Sequence, residues 1–403
     1  MKTGSFENEK EVVARAIENL YERSQFKISD TDLRTEIESL SAEEENLENR
    51  VLAKDTFSMI DEEGLGTLPI SSGSDGKNWF PVKIQTPLQS YGDDYDGLLW
   101  SFYNRIFPIK FILYVLADEL LTADDPKDRI SFDVLKEAVE VMASQFGQFA
   151  RSNKDIEEGG VDIGFPKSHS DFLKTPKLVR MRRRSKKLAN DKSLELANTS
   201  RDRFSSQFLG RELQKSETNR RVLGACFEMG LIDATFRTND KNFYAGLTQL
   251  GKEFLVLKNP TIEYFKSVLD DQHQAYPDSI FSDAEVTFIM KRIIPKFEYE
   301  KMIIDNILRL EGMNFVTVLT REFLKIRYEK SSQEIEQMEY DVKYPGKKGK
   351  ISDGRTKFLS AKKRVTGIMK RLEEFDLVVR HKDGMHVAYE VKAHRVKDLN
   401  LLN

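Results

Sequence analysis

The chain of 403 residues holds a single cysteine, Cys226. With no second thiol it cannot close a disulfide within itself, and no cluster of thiolates is present to bind a structural zinc. It also lacks an uninterrupted apolar run of the roughly eighteen residues that a membrane-spanning helix needs. The longest candidate, FPIKFILYVLADELL, carries Lys110 and then acids, and the opening MKTGSFENEKEVV has no apolar signal core, so a cytoplasmic protein without a membrane partner is expected. No phosphate loop of the Gly-x-x-x-x-Gly-Lys-Ser/Thr kind and no nucleophile elbow occurs. His381 and His386 alone would make a poor metal site. These absences lead to the expectation of a noncatalytic protein with no cofactor.

What is present is charge, unevenly placed. The total is −3, yet residues 1–95 hold ten basic and twenty acidic residues. From Lys174 to Lys192 there are nine basic residues against one acid, and residues 341–372 hold eleven against two. Two basic strips in a net-acidic chain are the footprint expected of a protein that meets a polyanion locally and repels it elsewhere. The first strip contains LVRMRRRSKKLANDK and follows the loop-like GGVDIGFPKSHSDFLKTPK, so it reads as a phosphate-contacting arm or a solvated linker within a long insertion, or in the helix after it.

Beside each strip lies a patterned unit. Ser216–Ile232 (SETNRRVLGACFEMGLI) has an N-cap start, apolar residues at helical spacing and a Gly230 stop, and predicts a helix. ATFRTNDKNFYAGLT then predicts two short strands around a turn, and QLGKEFLVL a closing helix. In the C-terminal region Lys357–Glu374 predicts a helix with Ala361, Val365, Ile368, Met369 and Leu372 inward and Phe375 closing it. LVVRHKDGMHVAYEV follows as a hairpin around Lys382-Asp383-Gly384. The helices before it are Glu298–Arg309 and Val316–Lys330, with KSSQEIEQMEYDVKYPGKKGKISDG as an insertion. FEMGLIDATF and LEEFDLVVRH align as a weak internal repeat.

Helices that run through Gly-Leu-Ile or Asp-Leu-Val into a hairpin resemble the winged helix-turn-helix superfamily of prokaryotic and archaeal style. The resemblance covers roughly residues 200–258 and 298–394, and it rests on hydrophobic pattern rather than on signature residues. It implies a mainly α protein with small β-hairpin wings, a recognition helix in the DNA major groove and wings on phosphates. The division expected is an acidic helical region over 1–95, a helical domain over 96–270 with the first unit and the basic insertion, and a second winged-helix domain over 271–403. In the N-terminal region Glu11–Ser24 and Ser29–Leu40 predict amphipathic acidic helices suited to a protein partner. Trp100–Leu121, restarted at Pro108, and Ile130–Ala150 predict long helices that pack a core or a homodimer interface.

On the helical wheel Lys363, Gly367 and Lys370 point away from the core, flanked by Ser360, Arg364 and Arg371. With Lys357 and the wing residues Arg380 and Lys382 they form the expected double-stranded DNA contact. The first unit offers Arg220 and Arg221, and the strip offers Arg182, Arg183, Arg184, Lys186 and Lys187. The expected function is a sequence-specific or structural DNA-binding protein, a transcriptional regulator or chromosome-associated factor. Two alternatives stand beside it. One is a tandem winged-helix scaffold for proteins. The other is a nuclease in which Asp376 and Glu390 hold Mg²⁺ and Lys392 assists the attacking water, as in Asp…Glu-x-Lys sites.

Overall fold

The computed structural model describes residues 79–84, 97–99, 104–122, 128–153, 164–213, 221–239, 241–269, 275–344, 353–383 and 386–402. The expected acidic N-terminal helices, Trp100, Phe102 and Arg220 lie outside the described residues. Within them the chain is mainly helical with small sheets, and no helix is long and apolar enough to cross a membrane.

Strands β1 (Trp79–Pro81) and β2 (Lys83–Ile84) form where WFPVKI reads as extended. Helix α1 (Phe107–Thr122) starts at Pro108, whose fixed φ and missing N–H suit a first turn. It is buried without a break from Phe107 to Ala117, so it is a central core helix with no outer face over that length. After β3 (Ile130–Ser131), α2 (Phe132–Ser152) turns Leu135, Val139, Ala143 and Phe146 inward. Then come α3 (His169–Leu173), α4 (Pro176–Arg184), α5 (Lys186–Phe204), β4 (Arg211–Leu213), β5 (Arg221–Leu223), α6 (Ala225–Glu228), β6 (Ile232–Arg237), β7 (Asn242–Leu247), α7 (Gln249–Leu255) and α8 (Pro260–Leu269). The predicted β6–β7 hairpin is the middle of a four-stranded sheet, β1-β6-β7-β3, in which β3 pairs antiparallel with β7.

The chain continues through α9 (Asp283–Phe288), α10 (Glu298–Leu308), β8 (Met313–Phe315), α11 (Val316–Tyr328), α12 (Ser332–Lys343), α13 (Asp353–Glu374), β9 (Val378–Asp383), β10 (His386–Val391) and α14 (Ala393–Asp398). Here the sheet order is β8-β10-β9, all antiparallel. Both halves thus place a short strand between two helices and pair it with the second strand of a later hairpin. They also enter their hairpins alike. Gly230 and Asp376 both take left-handed backbone, at φ +72° and +58°. The next N–H in each returns to the carbonyl five residues back, Leu231 to Cys226 and Leu377 to Leu372.

Two expectations fail locally. Ser216–Ile232 is not one helix. Arg221–Leu223 is a strand between β2 and β4, and among the described residues of this stretch only Ala225–Glu228 is helical before the hairpin. A strand forms because Val222 and Leu223 are both buried within a sheet, and tertiary pairing overrides the helical spacing. The insertion before α13 contains helix α12, opened by a capping box in which Ser331 and Glu334 satisfy each other's backbone N–H groups. The basic strip takes the helical one of its two expected placements. It forms α4 and the first turns of α5, broken only at the extended Ser185.

One hydrophobic core joins residues from Val82 to Leu401, and buried polar ties cross it. Lys110 donates to the carbonyls of Phe254, Leu255 and Leu257, closing the end of α7, and pairs with Glu285 at 3.0 Å with both side chains out of water. Glu374 accepts from the N–H groups of Ile106 (2.5 Å) and Phe107 (3.1 Å), which are free donors at the start of α1.

Candidate functional site

Helix α13 carries the second basic strip into the site. Its apolar residues Ala361, Val365, Ile368, Met369 and Leu372 are buried as their spacing predicts. Three of the residues expected on the opposite or flanking faces are buried as well, which corrects the DNA-facing assignment of Arg364 and Arg371. Gly367 lies inside the packing, Arg364 donates to the Tyr328 hydroxyl at 2.6 Å, and Arg371 pairs with Glu300 where each is 1% exposed. The wheel assumed one core face, but α13 packs against α11 and α12 and reaches α10 through Arg371. Ser360 is half-buried, Lys363 is exposed, and the exposed Lys357 spends its charge on Asp353 at 2.8 Å.

The solvent stripe of α13 is Lys362, Thr366 and Lys370, spaced i, i+4, i+8. Facing it across a concavity of about 580 Å³ are Arg380, His386 and Val387 of the β9–β10 hairpin. Phe315 and the first turn of α11, Val316 to Val318, form the remaining wall. The buried Tyr389 also borders the space. Of the expected site residues the structure therefore brings Lys370 and Arg380 into one groove. Lys382 stays exposed further along β9. Sequence reasoning missed Lys362, Thr366 and Phe315. The stripe was legible as a second i, i+4 series, but Phe315 depends on the strand register that places it against Ala388.

The groove is electropositive. Lys362, Lys363, Lys370, Arg380 and Lys382 have no ion-pair partner among the described residues, whereas Arg321, on the same wall, is held by Glu339. Burial pushes the Lys370 ammonium below its usual range, and repulsion from Arg105 and Arg380 adds to this against attraction from Glu373. Burial likewise raises the Tyr389 hydroxyl.

In the first half, Arg221 is half-buried in a central strand rather than on a recognition helix. Arg182, Arg183 and Arg184 are exposed in the last turn of α4, where cations suit the carbonyl end of a helix. Lys186 and Lys187 are exposed in the first turn of α5, where the helix end is itself positive.

Within the Asp…Glu-x-Lys pattern Asp376 and Lys392 meet, while Glu390 is engaged by a histidine. Asp376 meets Lys392 at 2.5 Å and Arg395 at 3.5 Å, and Glu390 lies 3.1 Å from the His381 imidazole. Among the described residues no three His, Cys, Asp or Glu side chains are grouped to hold a metal. Comparison with family models, with curated proteins and with solved structures gives no match to the chain.

Proposed function

We propose that the chain is a double-stranded DNA-binding protein of regulatory or chromosome-associated type, built on two winged-helix-like units, with its principal contact at α13 and the β9–β10 wing. The observation that carries this reading is the groove in which Lys362, Lys370 and Arg380 converge without a salt-bridge partner among the described residues. Cations held together against their mutual repulsion are what a phosphate backbone neutralises. The shared order of helix, strand, helix and hairpin in both halves supports the winged-helix assignment. The exposed cations at the α4–α5 elbow add a second, sequence-independent phosphate contact.

The test is duplex binding by fluorescence anisotropy over a series of salt concentrations. Replacing the exposed Lys362 and Arg380 with Glu should abolish measurable binding with unchanged circular dichroism. Binding to random duplex that is absent, or insensitive to salt, would remove the DNA reading.

A protein-scaffold reading is favoured at one adjacent place. Tyr340 of α12 and Tyr344 just after it are 57% and 54% exposed with their rings 4.8 Å apart. Solvent-exposed tyrosine pairs of this kind suit a protein partner. The acidic residues 1–95 remain a further candidate for such a contact.

A further inference from the structure

We propose that the groove beside α13 takes an unpaired nucleotide, so that the protein prefers DNA ends and single-strand junctions to uninterrupted duplex. The inference rests on the DNA reading above and adds the form of DNA that the site selects. Three observations carry it.

The first is shape. A helix that reads duplex must project into the major groove. Here the stripe Lys362, Thr366 and Lys370 is instead one wall of a concavity closed by the hairpin and the start of α11. Lys370 is half-buried and Tyr389 almost wholly so, and both border that concavity, which a nucleotide free of its partner strand can enter further than one held in duplex. The volume of about 580 Å³ lies within the range of roughly 300–1,000 Å³ typical of small-ligand pockets.

The second is an aromatic rim. Phe315 is 49% exposed, and its ring stands edge-on to His386 with centroids 6.4 Å apart, next to Val318 at 37% exposure. A phenylalanine half in water among cations gains by stacking on a flat apolar face, and every nucleobase offers one. Such stacking tolerates any sequence. The third is the charge behind that rim. Lys370 feels Arg105 and Arg380 as like charges and only Glu373 as an opposite one. One nucleotide would set its base on Phe315 and its phosphate between Lys370 and Arg380, relieving that repulsion.

The experiment compares, with the full chain, a labelled duplex capped at both ends by polyethylene glycol linkers and the same duplex bearing a short single-stranded tail. The tailed DNA should bind roughly 5- to 150-fold more tightly, the span of one base–aromatic stack. Phe315→Ala should erase that preference, lowering affinity for the tailed DNA far more than for the capped duplex, with circular dichroism unchanged. Equal, salt-dependent affinity of the wild type for the two DNAs would overturn this proposal and leave the DNA reading standing. A Phe315→Ala loss that is equal for both DNAs would overturn it too, by showing that the ring serves duplex binding in general. No binding to either DNA would remove both readings.

Discussion

Arg371 is the position where a DNA contact and a structural role predict opposite results. Its guanidinium pairs with Glu300, each side chain being 1% exposed, and the second Glu300 carboxylate oxygen is buried without a hydrogen-bond partner. Arg371→Met keeps much of the side-chain length but strands the Glu300 carboxylate between α13 and α10. Removing one partner of a buried pair costs about 3–5 kcal/mol, because an uncompensated charge stays out of water. Replacing both partners with apolar groups of similar size is often neutral or stabilising by about 1–4 kcal/mol. Arg371→Met should therefore lower the unfolding free energy by about 3–5 kcal/mol, and adding Glu300→Leu should restore most of it. Urea unfolding followed by far-ultraviolet circular dichroism measures both variants. Equal losses in the single and double variants would show that the pair is not coupled. A stable Arg371→Met that binds DNA weakly would return Arg371 to the DNA-facing side.

Two further predictions concern charge. Replacing Arg182, Arg183, Arg184, Lys186 and Lys187 with Gln should flatten the slope of log affinity against log salt by about 4–5 units if each meets a phosphate. A wild-type slope in that variant would make the α4–α5 elbow a solvated surface only. Burial raises the Glu374 carboxyl above its usual range against the pull of Arg105 and the Ile106 and Phe107 N–H groups. A raised folded-state value gives stability that is full below the unfolded carboxyl range and is lost as pH rises through the folded value. The wild type should thus gain stability relative to Glu374→Gln as pH falls from neutrality toward about 4.3, and a pH-independent difference in urea midpoints would refute the assignment.

Local signals proved readable where a local cause decides the structure. Alternation on both sides of a turn yields β6–β7 and β9–β10, and five apolar positions at helical spacing orient the core face of α13. The repeat of Gly230-Leu231 and Asp376-Leu377 corresponds to a common backbone device at the mouth of each hairpin. Helix α12 is equally legible, since Ser331 and Glu334 have the Ser-x-x-Glu spacing of a capping box, but the Pro-Gly turn and lysines after it make the whole segment read as an insertion. Val222 and Leu223 went the other way. Their spacing fits a helix, and only pairing with β2 and β4 makes them a strand.

What no local pattern contains is the second buried face of α13. Arg364, Arg371 and Glu374 look like solvated residues of a basic helix, and each is buried by a partner distant in sequence: Tyr328, Glu300 and the first N–H groups of α1. The Glu374 contact spans 268 residues, to a helix that begins at Phe107. Those three ties fix α13 in rotation about its own axis, because turning the helix would expose the apolar stripe and strand three buried polar groups together. Fixing that rotation is what turns Lys362, Thr366 and Lys370 toward the hairpin. Arg364 and Arg371, expected to face DNA, are thus among the residues that determine which cations reach the groove, and a charge census cannot separate the two roles. Burial can.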